Sequence, residues 1–336
     1  MKPIRFATIG VNHNHIYGQT NCLLNAGAEL VGFYAVEDDL AKEYSEKYPD
    51  APRVDDQRRL IEDGSIDLII SAAIPADRAD IAIRAMQAGK DVMVDKPGMV
   101  TLEELAEVKR VQAETGRIFS VLYSEHFENR ATVKAGDLIA AGAIGKVVST
   151  AGFGPHRLRA STRPEWFFKR ESYGGILVDI ASHQCEQFLF FTGSETATIR
   201  SATVSNRANA QWPGLQDSGD IHLSTDTADG FIRVDWFTPD GLPSWGDGRL
   251  FITGTDGAIE IRKNVDVAGR DGGNHLFLTD KNGVQYINCS DVALPYGPQL
   301  LNDIRNRTET AMPQARCFAA MEIALRAQEI AEGKNA

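Results

Sequence analysis

Residues 4–15 read Ile-Arg-Phe-Ala-Thr-Ile-Gly-Val-Asn-His-Asn-His, a short apolar strand that ends at a glycine and leads into a polar turn. A helix pattern follows over residues 16–25, and Gly27 ends it. A strand, a turn and a helix in this order open a βαβ unit, in which the next strand lies parallel to the first. The stretch therefore predicts a parallel sheet in the N-terminal part of the chain.

The same alternation of strand and helix patterns continues to residue 122. Further strands are predicted at residues 29–35, 67–72, 91–94 and 118–122, and further helices at residues 39–47, 57–62, 77–87 and 102–114. Strands separated by helices of this length form a parallel sheet with helices on both faces. Residues 1–122 are therefore predicted to form an α/β domain of the Rossmann type.

The second part of the chain alternates short strands with tight turns rich in Gly and Asp. Strands are predicted at residues 146–153, 196–205, 220–224, 230–238, 249–253, 258–262, 275–279 and 285–288, and helices at residues 132–141, 298–307 and 313–332. Adjacent strands joined by such turns pair antiparallel. Residues 123–336 are therefore predicted to form an α+β domain with a large, mostly antiparallel open sheet.

The composition excludes several classes of function. A chain of 336 residues, 43% hydrophobic and 24% charged, is typical of a globular protein with two domains. The net charge of -11 argues against a nucleic-acid partner, which would need clustered Lys and Arg. No apolar run approaches the roughly 18 residues that a membrane span needs. Four scattered cysteines without a CxxC pair, and no leader pattern after Met1, predict a cytoplasmic protein with reduced thiols.

The turn after the first strand is where the pyrophosphate of a dinucleotide is expected to bind. Of the G-x-G-x-x-G fingerprint, Gly10 remains, while Asn12 and His15 occupy the second and third glycine positions. Asn12 tolerates left-handed backbone, so the turn is expected to persist. His13 and His15 have no acidic neighbour in the sequence, which leaves too few ligands for a metal. They are predicted to line the cofactor or substrate cleft, and no metal is predicted.

The end of the second strand should carry an acid that binds the adenosine ribose. Ala35 occupies that position, so Glu37 is the candidate; the alternative is that Glu37 and the two aspartates after it cap the next helix. No Lys or Arg occurs between this strand and Lys42, so an extra 2′-phosphate would meet negative charge. NAD is therefore predicted as the cofactor, with NADP as the alternative. Ala73, directly after the third predicted strand, is also assigned to cofactor binding at the carboxyl ends of the parallel strands.

Two further motifs carry candidate chemistry. Lys96, in Asp-Lys-Pro directly after a predicted strand, lies at the ligand edge of the sheet. Residues 174–183 read Gly-Gly-Ile-Leu-Val-Asp-Ile-Ala-Ser-His, and a helix over residues 177–191 would place Asp179 and His183 on one face. Histidine can transfer a proton near neutral pH. The alternative is a helix-capping Asp and a core His with a satisfied ring.

These motifs resemble a known family. Asp95-Lys96-Pro97 resembles the Glu-Lys-Pro motif of the Gfo/Idh/MocA oxidoreductases, and residues 174–183 resemble the family signature Gly-Gly-x-x-x-Asp-x-x-x-His. Residues 85–92, 142–146 and 318–331 are similar to other family segments. The resemblance implies that Lys96, Asp179 and His183 are catalytic, and that the second sheet makes subunit contacts in a homo-oligomer. Asp95 and Pro97 are assigned to the cofactor, as is Arg78, which stands where many members have a His near the nicotinamide.

The segments before the second motif are predicted to bind the substrate, because aromatic faces stack on sugar rings and His, Arg and Asn bind hydroxyls or a carboxylate. The candidates are Tyr123, His126, Asn129, His156, Arg163, Trp166 and Tyr173. The predicted reaction is hydride transfer between nicotinamide and a carbinol carbon of a sugar, polyol or sugar acid. Two alternatives are an NAD-dependent glycosidase or lyase without net redox, and a non-catalytic dinucleotide-binding regulator.

Overall fold

The computed structural model describes residues 2–334 and divides the chain into two compact units. The first unit contains the chain up to Leu122 together with Pro295–Phe318, and the second contains Tyr123–Leu294 and the chain from Ala319 onward. The strands are β1 (Arg5–Ile9), β2 (Glu29–Tyr34), β3 (Leu68–Ser71), β4 (Asp91–Asp95), β5 (Phe119–Leu122), β6 (Val147–Pro155), β7 (Thr198–Ser205), β8 (Ser218–Ser224), β9 (Asp229–Asp235), β10 (Arg249–Gly254), β11 (Gly257–Arg262), β12 (His275–Asp280) and β13 (Gly283–Asn288). The helices are α1 (His15–Asn25), α2 (Asp38–Lys47), α3 (Arg58–Ile61), α4 (Arg78–Gln87), α5 (Leu102–Thr115), α6 (Ser124–Phe127), α7 (Arg130–Ala140), α8 (Arg170–Tyr173), α9 (Ser182–Thr192), α10 (Tyr296–Asn306) and α11 (Gln314–Ala331).

The first unit is built on a five-stranded sheet in the order β2-β1-β3-β4-β5, and every pair in it is parallel. Strands β3, β4 and β5 are buried along their whole length, as expected for a parallel sheet covered on both faces. The predicted Rossmann-type α/β architecture is confirmed. Because the strands are parallel, the carboxyl ends of β1 to β4 meet at one edge, where ligands bind in open sheets of this kind.

Local sequence explains the best-formed helix of this unit. Thr101 accepts a hydrogen bond from the backbone N–H of Glu104, and the Glu104 carboxylate accepts one from the backbone N–H of Thr101. This capping box satisfies N–H groups that the first turn of α5 leaves unpaired. Gly116 ends the helix with a φ of 62°, which glycine adopts without strain.

The structure corrects one part of the predicted domain division. The N-terminal segment of the first unit ends at the predicted boundary between residues 122 and 123, but Pro295–Phe318 also belongs to the first unit and not to the second. The Tyr296 hydroxyl lies 2.7 Å from the Ser120 hydroxyl, and the Gln314 amide exchanges two hydrogen bonds with the backbone of Phe119. These contacts join Tyr296 and Gln314 to β5, so this late segment of the chain is part of the first unit.

The second unit contains an eight-stranded sheet in the order β13-β12-β11-β10-β6-β9-β8-β7. Only β6 and β9 pair parallel, and the other neighbours are antiparallel, which confirms the predicted mostly antiparallel sheet. Residues on one face of β10, β11 and β12 pack against α7 and α9 in the core; they include Leu250, Ile252, Ile259, Ile261, Leu276 and Leu278. Within residues 2–334, no helix has both the length and the apolar character required to cross a membrane.

Candidate active site

The turn after β1 is shaped by a glycine that the backbone requires. Gly10 has a φ of 80°, and a Cβ atom added to it would lie 2.4 Å from the Cβ of Ala73. The turn is joined to the neighbouring strands by hydrogen bonds from Gly10 N to Tyr34 O and from His13 N to Ala72 O. Gly10 and Ala73 therefore bring the ends of β1 and β3 together at the edge where a dinucleotide is expected.

The turn keeps its shape for a different reason from the one predicted. Asn12 is not left-handed, since the described non-glycine residues with positive φ are Arg159, Asn274 and Arg307. The Asn12 side chain instead donates a hydrogen bond of 2.9 Å to the Glu37 carboxylate. Glu37 precedes α2 without a side-chain capping bond. Its carboxylate is thus held at the cofactor edge by Asn12 and does not cap the helix.

Asp95 organises the polar groups of this edge. Its Oδ1 lies 2.9 Å from His15 Nδ1, and its Oδ2 lies 3.3 Å from His13 Nδ1 and 3.2 Å from Arg78 Nη2. Burial alone would raise the pKa of Asp95, but the charges of His15 and Arg78 outweigh burial and hold that pKa well below its usual value. Burial and the neighbouring His15 lower the pKa of His13 well below its usual value. Near neutral pH, Asp95 is therefore ionised and His13 is neutral.

Asp95 is the acidic neighbour of His13 and His15 that the sequence interpretation missed, because it follows a distant strand. The ligand atoms of the three residues lie within 4.8 Å of one another, a spacing that a metal ion could use. One carboxylate oxygen already faces the guanidinium of Arg78, and a metal cation there would be repelled by that charge. We therefore interpret the cluster as a hydrogen-bond network that ties the cofactor turn to β4.

Arg78 lies in the interior and its guanidinium is directed at the motif that contains Lys96. Its Nε donates to Ala73 O at 2.8 Å, and its Nη1 lies 3.1, 2.6 and 2.9 Å from the carbonyl oxygens of Asp95, Lys96 and Pro97. The prediction that Arg78 contacts the cofactor needs correction, because its donors serve these carbonyl groups. Arg78 fixes the backbone of Asp95–Pro97 and so positions Lys96 at the end of β4.

The helix that carries Asp179 and His183 begins irregularly. Residues Leu177–Ala181 form a π-helical turn, and α9 continues from Ser182. The predicted helix is present, but its first turn is wider than an α-helical turn. Single π turns occur often at functional sites.

The start of this helix is held by two glutamines from distant segments. Gln328 Oε1 accepts a hydrogen bond from Leu177 N, and Gln216 Oε1 accepts one from Ile176 N. A Cβ atom at Gly175, whose φ is 89°, would lie 2.3 Å from Gln328 Oε1. Gly175 is therefore needed because the Gln328 amide approaches the backbone closely. The two amides satisfy N–H groups that the first helical turn leaves unpaired.

Three predicted substrate residues come close to this helix within the second unit. The Tyr123 ring lies edge-on to the His183 ring, with centroids 6.1 Å apart. Burial lowers the pKa of Arg163, and the charge of Asp179 opposes that shift, so the two charges lie near each other. The charges of His156 and His183 each help to lower the pKa of Glu125, so both rings lie near that carboxylate. His156 Nδ1 donates to Gly154 O at 3.0 Å, which leaves Nε2 as the acceptor in a neutral ring.

The other four predicted substrate residues differ in their surroundings. His126 bonds Glu186 at 2.9 Å and lies between Phe127 and Phe190, while Asn129 caps α7 through Thr132 N. The Tyr173 hydroxyl bonds Gly214 O and Gln216 N, and burial raises its pKa. These three side chains satisfy their polar groups within the unit and are not part of the proposed site. Trp166 is half-buried and packs on Phe167.

A buried ion pair that was not predicted from the sequence is hydrogen-bonded to α9. Lys263 Nζ lies 2.6 Å from Glu125 Oε2, and both side chains are buried. Gln184 and Gln187, on α9, bond Glu125 and Lys263 respectively. Burial would raise the pKa of Glu125, but Lys263 and the nearby histidines outweigh burial and lower it to about 2. Glu125 lies in α6 and Lys263 directly follows β11, 138 residues away in the sequence, so no local pattern could have identified the pair.

Arg53 is a further residue that was not predicted to lie at the cofactor edge. It follows α2, forms an isolated parallel bridge with Phe33, and donates a hydrogen bond of 2.9 Å to Ala35 O. A basic side chain thus lies at the end of β2, although none occurs between this strand and Lys42. The residues at this edge fit a dinucleotide, because Gly10, Glu37, Ala73 and Arg53 follow or flank the carboxyl ends of β1, β2 and β3.

The sequence matches two family descriptions. Residues 4–123 match the "Oxidoreductase family, NAD-binding Rossmann fold", and residues 132–260 match the "GFO/IDH/MocA C-terminal domain". The first match covers the N-terminal segment of the parallel-sheet unit, and the second extends from α7 to β11.

Individual relatives agree with these matches. A crystal structure described as that of an oxidoreductase from Erwinia carotovora atroseptica SCRI1043 is 45% identical, covers 98% of both chains and has a TM-score of 0.95. The scyllo-inositol 2-dehydrogenase (NAD(+)) of Bacillus subtilis (strain 168) is 27% identical over 77% of this chain and 73% of that enzyme. The D-xylose dehydrogenase of Paenarthrobacter nicotinovorans is 30% identical, but the match spans only 42% of this chain and 38% of that enzyme's length.

The parallel sheet with its cofactor turn and the mostly antiparallel second sheet agree with both family matches along most of the chain. The chain belongs to the Gfo/Idh/MocA family of oxidoreductases, and its first unit is an NAD-binding Rossmann domain.

Proposed function

We propose that this chain transfers a hydride between nicotinamide and a carbinol carbon of a sugar, polyol or sugar acid, with Lys96 and His183 acting at the reacting oxygen. The observation that carries the proposal is the burial of three ionisable side chains. Lys96 is 5% exposed, Asp179 is 8% exposed and His183 is 1% exposed. Lys and Asp are rarely buried in proteins unless they are paired, and such groups concentrate at functional sites.

Each residue has a role that follows from its chemistry. In the oxidative direction, His183 accepts the hydroxyl proton of the substrate at a ring nitrogen. A bound nicotinamide would supply the hydride chemistry at the carbinol carbon. Lys96 donates a hydrogen bond to the same oxygen and stabilises the negative charge that develops there. Asp179, with Arg163 near it, binds a neighbouring hydroxyl of the substrate or holds His183 in its useful tautomer. Gly10, Asn12 and Glu37 hold the dinucleotide through the turn after β1 and the end of β2.

A substrate panel tests the reaction type. The purified chain should form reduced nicotinamide with at least one polyol, sugar or sugar acid, measured by absorbance at saturating NAD and at saturating NADP. Aryl glycosides in the same panel separate the alternatives. Release of the aryl alcohol without net cofactor reduction would support transient oxidation and elimination instead. Tight cofactor binding with no turnover of any panel member would support a regulator and contradict the proposal.

We also propose that the chain forms a homo-oligomer through the eight-stranded sheet. The outer face carries Phe153, with its ring centroid 6.0 Å from that of Phe231 and 6.1 Å from that of Phe251, and Phe251 is 38% exposed. Light scattering after size-exclusion chromatography should give the mass of two or more chains, and Phe251→Asp should reduce it. Phe237→Asp, at an exposed residue after β9, is the control and should keep the parental mass. A monomeric parent would contradict the proposal.

A further inference from the structure

Glu125 is a buried carboxylate next to the helix that carries His183. It lies in α6, and its side chain is 6% exposed. Its Oε2 accepts hydrogen bonds from Lys263 Nζ at 2.6 Å and from Gln184 Nε2 at 2.9 Å. Within the described residues 2–334, its Oε1 has no hydrogen-bond partner. A carboxylate oxygen that is buried without a hydrogen bond is costly, so a functional reason for it should be sought.

Gln184, in the first turn of α9, connects Glu125 with the end of β6. Its side chain passes over two glycines of that strand. An added Cβ atom would lie 2.8 Å from Gln184 Cγ at Gly152 and 3.0 Å from Gln184 Nε2 at Gly154. Side chains two residues apart in a strand share a face, so His156, directly after β6, continues the face that Gln184 covers. The hydrogen bond from Gln184 therefore places the carboxylate near His156 as well as near α9.

The charges around Glu125 agree with this placement. Burial would raise the pKa of Glu125, but the charges of Lys263, His183 and His156 outweigh burial and lower it to about 2. Tyr123, two residues before Glu125, places its ring edge-on to the His183 ring, with centroids 6.1 Å apart. The segment that contains Glu125 thus packs against His183, and one cation and two imidazoles lie near its carboxylate.

Two other acids lie on α9 and its π turn, and each has a basic neighbour of its own. Glu186 lies 2.9 Å from the Nδ1 atom of His126. Asp179 lies in the π turn, and its charge acts on Arg163. A substitution at Glu125 leaves both of these pairs in place, so its effect can be measured separately from theirs.

We infer that Glu125 is a positioning residue of the active site, whose carboxylate stabilises the imidazolium that forms when His183 accepts the substrate proton. A negative charge near a histidine favours the protonated ring, and Lys263, paired with the same carboxylate, weakens that effect. The ion pair therefore sets how strongly His183 binds a proton. The inference rests on the proposed role of His183 as the base and adds the group that adjusts this base.

NMR titration of the His183 ring, without substrate or cofactor, tests the inference independently of turnover. The chain has seven histidines, and the signals missing from the His183→Ala spectrum identify the ring. Glu125→Gln should move the midpoint of the His183 titration to lower pH by about one unit, because it removes the charge and keeps an acceptor for Gln184. Lys263→Met should move the midpoint to higher pH, because it removes the opposing cation.

A second comparison covers a loss of stability in Glu125→Gln alone. The double variant Lys263→Met/Glu125→Gln has neither charge, so no buried charge is left without its partner. Its midpoint should lie at lower pH than that of Lys263→Met, for the same reason as in the parent background.

The pH profile of kcat/KM should change in the same direction. A general base acts in its neutral form, so the acidic limb of the profile follows the proton affinity of His183 in the free enzyme. In Glu125→Gln this limb should move to lower pH. The plateau above it should fall by about 3- to 10-fold, because a weaker base accepts the proton less readily.

The control is Glu195→Gln, the same substitution at an exposed glutamate that follows α9. It should leave both the midpoint and the profile unchanged. An unchanged midpoint in Glu125→Gln, or shifts of the same sign in Glu125→Gln and Lys263→Met, would overturn the inference. The expected shifts in a protein that turns over no substrate would support the coupling and contradict the proposed function, which separates the two failures.

Discussion

Lys96→Met and His183→Ala should each lower kcat by about 10²- to 10⁴-fold, the usual contribution of a group that transfers a proton or stabilises charge at the reacting atom. Methionine keeps the length of the Lys96 side chain but removes its charge and donors. Alanine removes the imidazole of His183 and leaves the chain of α9 unchanged. The measurement is steady-state turnover with the best substrate of the panel, together with cofactor affinity by titration. The Kd of the cofactor should change by less than about threefold, since neither residue is assigned to the dinucleotide.

Two controls separate this loss from a general effect on folding. Lys42→Met removes an exposed lysine of α2 that pairs with Glu46, and it should keep the parental kcat. Added imidazole should restore part of the activity of His183→Ala, because it can occupy the vacated space and accept the proton. Parental turnover in both active-site variants would exclude the assignment.

Lys263→Met should destabilise the second unit by about 3–5 kcal/mol, because it leaves the buried Glu125 carboxylate without its cation. The expected loss is large because the Lys263 Nζ lies 2.6 Å from Glu125 Oε2 and both side chains are buried. The second substitution Glu125→Gln should recover most of the loss, since it removes the uncompensated charge and keeps an acceptor for Gln184. Urea denaturation followed by tryptophan fluorescence measures this unit, because all four tryptophans lie within it.

The matched control is Lys169→Met, the same substitution at an exposed lysine of the same unit, 3.9 Å from Glu165. It should change the free energy of unfolding by less than about 1 kcal/mol. Equal losses in the two variants, or a double variant no more stable than Lys263→Met, would contradict the account of the pair.

The sign of the pH dependence follows from the lowered pKa of Glu125. A carboxylate whose pKa is lower in the folded state adds stability above its unfolded pKa, which is about 4.3, and loses that contribution as the pH falls through the folded value. With a folded pKa of about 2, the stability should fall between about pH 4 and pH 2. The double variant should show a smaller fall over this range.

Local patterns were sufficient to predict the sheets, because the periods of strands and helices are properties of short segments. The alternation up to Leu122 predicted all five parallel strands, and β4 extends only one residue beyond its predicted end, to Asp95. The position of Lys96 at the ligand edge followed from that strand. The return of Pro295–Phe318 to the first unit was not predictable, because it depends on contacts such as Tyr296 with Ser120, 176 residues apart.

The details of the candidate site depend on similar long-range contacts. Arg78 was assigned to the cofactor from its place in the sequence, yet its guanidinium bonds carbonyl groups 17 to 19 residues away. The π turn before α9 is held by Gln216 and Gln328, which no helix pattern would connect with it. Arg53 lies at the end of β2 only because the chain after α2 returns to that strand. Spacing within one segment could not indicate any of these relations.

A double-mutant cycle on kcat tests most directly whether Lys96 and His183 act on one oxygen. The four proteins are the parent, Lys96→Met, His183→Ala and the double variant, measured with one substrate at saturating cofactor. Groups that act as a unit show strongly non-additive losses. We expect the double variant to lose little more activity than the more damaged single variant. If the two losses multiply in full, the residues act independently, and the shared reacting oxygen is contradicted.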